Sequence, residues 1–536
     1  MAATAAMAGD PAEGAFDAVV IGSGAGGGAA AFALTRDGLR TCVLEKGPHH
    51  QDGDFFHDEL AIARRSFFVP DPFEEPNLVA RDGAAAGPTS DGWISCCVGG
   101  GTVHMMGWMF RMLAKEMALG TRAGARAGGE LIDWPVEYDE LARAYDEIED
   151  LVGVSGDAAT LPVAQRALPL LPIAQHPAAG VIAEACTRLG RASFQPPRAI
   201  LSAAFRGRAA CHYCGFCAGY GCETGSKSST MASLLRAAAA TGKLTLRPRA
   251  LVVRIETDAS GRATGVVWRD ERGVERRTTG RAIVLAAGAI QSARLLMLSG
   301  LAADSGHVGR HLILGAQSTS TGVFALPHPA FGERGGRRDF PFGERTVRNG
   351  DGTTIFFLPT TSPIFTAEQA AKQGDDPPLW GAALVARLKE VFLETRQIEC
   401  ETFADFLPHA GCKVELDGAT RDRHGLAVAR VTAAQHPDTR AASDRLAAGG
   451  DEVLASAGAN RVEPGVRGGY YWFLQAGTAR MATSADGGVC GADGQVFGHP
   501  GLYIADGAAL PSAGAAPFTL TIMANALRIA GRIALT

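Results

Sequence analysis

The chain has 536 residues, 46 % of them hydrophobic, with 51 Lys and Arg against 56 Asp and Glu, a net charge of −5. That apolar share supports a large core and excludes disorder as the main character. With no basic stripe, nucleic acid is not an expected partner. Glycine, at 68 residues, stands well above its usual ~7 % share, which points to tight turns and close backbone approaches. No window reaches the ~18 apolar residues of a membrane span, so no transmembrane segment is expected. Met1 to Phe16 has no basic start and no apolar run, so no export signal is read and the expected compartment is cytoplasmic.

The first element begins at Asp17. Ala18 to Ile21 reads as a buried strand, Gly22 to Gly27 as a turn, and the small residues through Leu34 as a helix. A second apolar strand, Thr41 to Leu44, ends in Glu45. Gly22, Gly24 and Gly27 occupy the G-x-G-x-x-G places of a dinucleotide-binding turn. The first permits the turn, the second lets the backbone approach a pyrophosphate, and the third lets helix and strand pack closely. Glu45, eighteen residues after Gly27, is placed to accept hydrogen bonds from ribose hydroxyls.

Further along, apolar residues at three- and four-residue spacing predict a helix over Val136 to Val152. Pro162 to Pro172 reads as a connector, and Met231 to Ala240 as a helix stopped by Gly242. Leu244 to Arg254 and Ala263 to Arg269 read as paired strands around a polar turn at 259–262. Arg281 to Ala287 reads as a strand that runs through Gly288 into a helix, Gln291 to Leu298. From about Leu312 to Gly468 the pattern is less regular, with a Gly/Arg-rich loop (Gly332 to Arg338), a Pro-rich break (Asp375 to Pro378) and modest strands.

Several segments, in order, resemble the glucose–methanol–choline (GMC) oxidoreductase family of FAD flavoproteins. They are Val98-Gly99-Gly100-Gly101-Thr102-Val103-His104, the run Ala286 to Ser292, Gly477 to Met481, Leu502 to Gly507, and Thr519 to Ala524. The helix after Trp134 is similar to that of the branch with gluconate dehydrogenases and pyranose oxidases. The resemblance implies an α/β fold, an FAD-binding Rossmann-like domain with a β-sheet-based substrate domain. The expected divisions are 1–110, 225–310 and 465–536 for FAD, 111–224 for a lid region, and 311–464 for the substrate. It also implies that Gly100 and Gly101 lie beside the flavin, Asp506 near the ribityl-pyrophosphate, and the Val252 backbone near the adenine. In part of the family a histidine at the place of His104 carries the flavin covalently; here a covalent link, a noncovalent contact and simple packing all stay open.

Cys211, Cys214, Cys217 and Cys222 form C-x2-C-x2-C-x4-C. The first three match the opening of bacterial ferredoxin motifs, zinc is the chemical rival, and thiols without metal are the third reading. Some dehydrogenases of the family hold an iron–sulfur centre in this stretch, so an iron–sulfur cluster on these four is expected. It would pass electrons to an acceptor protein.

The family places a catalytic histidine three residues before the Gly-Thr of its C-terminal block, and an Asn or His two residues before the final Thr-Leu-Thr run. Here those places hold Leu474 and Pro517, and neither can take a proton. The base then comes from Gln475, Tyr470, Tyr471 or a cap-domain histidine, or the reaction needs none. The expected function is FAD-dependent hydride removal from a small-molecule substrate. Trp472, Phe473, Leu474 and Phe518 point to an apolar one. The alternative is a lyase, isomerase or photodecarboxylase-like flavoenzyme, or a flavoprotein without net turnover.

Overall fold

The computed structural model describes residues 15–60, 67–124, 128–163, 165–332, 341–359, 363–372 and 377–533. Most of Met1 to Phe16, the Gly/Arg-rich run after Gly332, and Asp375 and Asp376 lie outside these residues.

Seventeen strands build three sheets among the described residues. In chain order they are β1 (Phe16–Ile21), β2 (Thr41–Leu44), β3 (Asn77–Arg81), β4 (Gly87–Thr89), β5 (Leu244–Arg247) and β6 (Leu251–Thr257). Then come β7 (Ala263–Arg269), β8 (Glu275–Leu285), β9 (Ile313–Ala325), β10 (Arg345–Arg348), β11 (Gly352–Phe357) and β12 (Thr395–Ala404). The last are β13 (Lys413–Arg421), β14 (Ala427–Ala433), β15 (Arg461–Pro464), β16 (Gly469–Ala476) and β17 (Leu502–Ile504).

The first sheet runs β5-β2-β1-β8-β7-β6, with β17 also on β8. Its middle is parallel, because β1 pairs with both β2 and β8 in parallel register and the helix Ala25–Arg36 makes the crossover. Residues Ala18 to Val20 are fully buried, as a parallel strand covered on both faces requires. The C-terminal helix, Thr519–Ile533, lies against Ala25–Arg36. A third helix, Tyr138–Val152, is tied to it by a 2.7 Å hydrogen bond between Tyr145 and Thr521. The fold is the expected α/β class.

Two expectations change. Leu244 to Arg254 is not one strand: Arg249 takes φ +54° and splits it. β5 then pairs in parallel with β2, and only β6 pairs with β7. The region after Leu312 is more regular than its composition suggests. It forms an antiparallel sheet, β10-β11-β12-β9-β15 with β16 on β9, backed by a 20-residue helix, Pro437–Ser456. No described helix is long and apolar enough to cross a membrane.

Candidate active site

One cavity of about 490 Å³ connects the carboxyl ends of β1 and β2 to the six-stranded sheet. Gly22, Gly24, Glu45, Gly100, Gly101, His104, Val252 and Asp506 all line it, as do Leu474, Gln475 and Pro517. Gly27 sits just behind.

Backbone contact decides the first turn. Gly22 has φ +95°, and a Cβ there would stand 2.4 Å from the Ala286 carbonyl oxygen. A Cβ on Gly27 would meet the Gly22 oxygen at 2.0 Å. The two glycine loops touch directly, since a Cβ on Gly100 would lie 2.7 Å from the Gly24 Cα.

Buried carboxylates lock this cradle. Glu45 accepts from the Ser23 N–H (3.0 Å), the Ser23 hydroxyl (2.7 Å) and the Gly47 N–H (2.9 Å). The Ser23 oxygen in turn accepts from Gly99 at 3.0 Å, which joins the loops. Sequence reasoning missed Ser23; its hydroxyl inside a glycine run was the available signal. Asp506 accepts from Gly288 N–H (2.8 Å), the Ser292 hydroxyl (2.6 Å) and Ala508 N–H (2.8 Å). Burial pushes both carboxyls up, while these donors pull them down. Val252 stands beside the Glu45 end, where the Ala250 N–H donates to the Glu45 carbonyl at 2.9 Å.

At the other end β16 carries an irregularity. Tyr471 pairs with Gly315 and Gln475 with Leu314, so the register shifts between them. Such bulges re-aim side chains, and Tyr471, Phe473 and Leu474 all reach the cavity. Trp472 and Phe518 are not among its lining residues. Gln475 uses its amide donors on the Gly92 carbonyl (2.9 Å) and the Trp472 carbonyl (2.8 Å). Tyr470 donates to Asp82 at 2.6 Å and does not line the cavity. His104 is the one imidazole among the described lining residues. Its Nε2 donates to the Ile94 carbonyl at 3.0 Å, and its ring lies 4.9 Å from Phe68 and 6.3 Å from Phe473.

Sequence profiles of the GMC oxidoreductases match residues 97–316 and 408–526, and an FAD-binding profile matches 17–52. A paromamine 6'-oxidase of Streptomyces fradiae is 31 % identical, over 97 % of this chain and 91 % of its own length. The chain belongs to the GMC oxidoreductase family. A gluconate 2-dehydrogenase flavoprotein of Pantoea cypripedii is 28 % identical over 58 % of this chain and 57 % of its own length. The crystal structure of a pyridoxine 4-oxidase covers 96 % of this chain and 98 % of its own, with TM-score 0.62 at 15 % identity, a likeness of fold. This GMC oxidoreductase is an FAD-dependent enzyme. The site fits the cofactor, because side-chain-free backbone and satisfied carboxylates line the cavity where a long dinucleotide needs close approach.

The cysteine loop differs from expectation. Among the described residues no three His, Cys, Asp or Glu side chains form a group able to hold a metal ion. Cys211, Cys214, Cys217 and Cys222 are free thiols around a small cavity of about 10 Å³. The Cys222 sulfur accepts from the Lys227 N–H at 3.4 Å, and the Cys211 sulfur from Tyr213 N–H at 3.3 Å. Burial raises Cys211 to about 12 and Cys217 to about 11, so both are protonated thiols. The buried Lys227 ammonium donates to three carbonyls, of Met105, Cys217 and Tyr220, at 2.7–2.9 Å. The loop is organised around a lysine, and the iron–sulfur expectation is not supported.

Proposed function

We propose that this GMC oxidoreductase oxidises a hydroxyl group of a small molecule, with His104 taking the hydroxyl proton. Bound FAD supplies the hydride acceptor. The observation that carries the reading is His104 itself: an imidazole on the cavity wall whose ring is oriented by a hydrogen bond from Nε2 to Ile94. Leu474 and Pro517 stand where the family keeps its His and Asn, so they supply shape and exclude water rather than move a proton. Residues 1–110, 225–310 and 465–536 hold FAD, 111–224 form the lid region, and 311–464 cover the substrate. β16, within the last cofactor segment, pairs with β9 of the substrate sheet. Relatives named for paromamine and gluconate support a polyhydroxylated substrate over an apolar one. No step is assigned to the cysteine loop, because its thiols do not gather as ligands.

The test is anaerobic mixing of the FAD-loaded protein with a panel of alcohols and sugars while the flavin band is followed. Bleaching is expected, and His104→Asn should slow it by ~10²–10⁴-fold while FAD stays bound. An undiminished rate in that variant would remove His104 from the chemistry. The replaced His and Asn favour one second reading, a reaction without net oxidation; product formation with no bleaching and no acceptor consumption would select it. Oxygen uptake against dye reduction then tells whether electrons leave to dioxygen or to an acceptor protein.

A further inference from the structure

Two carboxylates on the substrate sheet have no cationic partner among the described residues. On β12 and β9, Glu399 stands opposite Thr321, Glu401 opposite Thr319, and Phe403 opposite Gln317. Directly opposed residues share a face. The other face is closed by the helix Pro437–Ser456, through a 2.9 Å hydrogen bond between Ser318 and Ser443 and another from Ser320 to Asp451. The glutamate face therefore turns away from that helix, and at its Phe403 end it reaches residues of the flavin cavity. The Phe403 ring lies 5.6 Å from Tyr471 and 6.4 Å from Trp108, and both of these line the cavity.

Three other buried acids are each paired with a base. Glu116 meets Arg348, Glu149 meets Arg111, and Asp422 meets Arg294, all with side chains at most 9 % exposed. Glu401, only 6 % exposed, has nothing but the Gln317 amide on one oxygen. Glu399 has no hydrogen bond or ion pair among the described residues. Glu401 meets the Gln317 amide and the like charge of Glu399, no Arg, Lys or His among the described residues acts on either, and burial raises them to about 7 and about 8. Leaving a buried carboxylate such as Glu401 without a cation is costly. A second gap adjoins them. The Trp108 indole, 5 % exposed and in contact with Phe403 and Phe357, has its N–H without a partner. A ligand bringing an ammonium group and a hydroxyl oxygen fills both gaps.

We propose that Glu399 and Glu401 bind an ammonium group of the substrate, so that the enzyme selects an amino-bearing polyol such as an amino sugar. This rests on the hydroxyl-oxidation reading and names its substrate class. The sheet holds the cationic end, and the hydroxyl to be oxidised points back toward the flavin and His104.

The test compares paromamine, which carries amines, with methyl glucoside, which is neutral. In the Glu399→Gln/Glu401→Gln double variant the ratio of their kcat/KM values should fall roughly 10- to 100-fold, through KM rather than kcat. Glu401→Asp should restore part of it. Equal losses on both substrates, or an unchanged ratio, would overturn the assignment. Putrescine, a diamine without a hydroxyl, provides a readout independent of turnover. Its binding to the FAD-loaded wild type, followed as a shift of the flavin spectrum, should strengthen from pH 6 to pH 8 as the carboxyls ionise. Binding that is absent or flat with pH overturns the assignment even where the variants fail to fold. If neither sugar is oxidised but putrescine binds in this way, the hydroxyl-oxidation reading fails and the ammonium site stands.

Discussion

Two carboxylate pairs, one lining the cavity and one on the substrate sheet, differ in what surrounds them. Glu45 and Asp506 each accept three hydrogen bonds, from backbone N–H groups and serine hydroxyls of the glycine loops. Of the second pair, Glu401 accepts from a single donor, the Gln317 amide, and Glu399 from none among the described residues. The first pair is part of the wall: its donors are fixed by the turns that form the cradle, and it holds those turns in place. The second pair has its counterpart outside the chain. Burial alone does not separate a structural acid from a binding one; the supply of donors does.

The largest expected effect comes from attacking the cradle. In Gly22→Ala the new methyl group would meet the Ala286 oxygen at 2.4 Å, at a φ of +95° that L-residues avoid. The turn must shift, and with it the Ser23–Glu45 link. The variant should purify without FAD and lack the visible flavin bands. A fully loaded Gly22→Ala protein would show that the glycine loop is not what holds the cofactor.

Neutralising one acid from each pair sharpens the contrast, because the signs differ. Asp506→Asn replaces an acceptor oxygen by an amide facing N–H or O–H donors, so the melting temperature should fall, by about 1–3 kcal/mol of stability. Glu401 is held up at about 8 by burial, against ~4.3 unfolded. Between those values the folded protein binds more protons than the unfolded one, so stability declines as pH rises and the loss is complete above pH 8. At pH 8.5 Glu401→Gln should therefore stabilise the ligand-free protein, by up to a few kcal/mol. At pH 5 it should be nearly neutral. Thermal denaturation at both pH values decides it, and destabilisation at pH 8.5 would mean that Glu401 has a cationic partner within the chain.

The cradle was legible because its signals are local. Strand, glycine turn, helix and acid follow within 30 residues, Phe16 to Glu45, and the Thr41–Leu44 strand ends where its sequence says. The substrate sheet was not legible, for a physical reason. β9 reads Ile-Leu-Gly-Ala-Gln-Ser-Thr-Ser-Thr-Gly-Val-Phe-Ala, with polar side chains on both faces. One set shares the face of Glu399 and Glu401, and the other bonds the helix Pro437–Ser456, so no apolar alternation marks a strand. Glu399 and Glu401 in turn look like ordinary solvent-facing charges. The strand they pair with, β9, lies about 80 residues away along the chain. Leu474 and Pro517, singled out by resemblance, both line the cavity, whereas the register shift in β16 beside Leu474 had no sequence signal.

The smallest effect is expected in the cysteine loop, where spacing suggested more than geometry delivers. Metal-ligand spacing requires thiolates that converge, and convergence depends on how the loop closes. Here Tyr213 takes φ +60°, and the Lys227 ammonium collects the Met105, Cys217 and Tyr220 carbonyls. Cys211 and Cys217 pack with Ile173, Ile200 and Phe342 as small apolar groups, a common role for free cysteine. If the lysine organises the loop, Cys214→Ser should change stability by less than ~1 kcal/mol. It should also leave the FAD content and the iron and zinc content per chain unchanged. Lys227→Met should do more damage, since three buried carbonyls lose their donor. The reverse ranking, with metal lost from the Cys214→Ser protein, would show that the thiols gather in solution and that the loop belongs to the electron path after all.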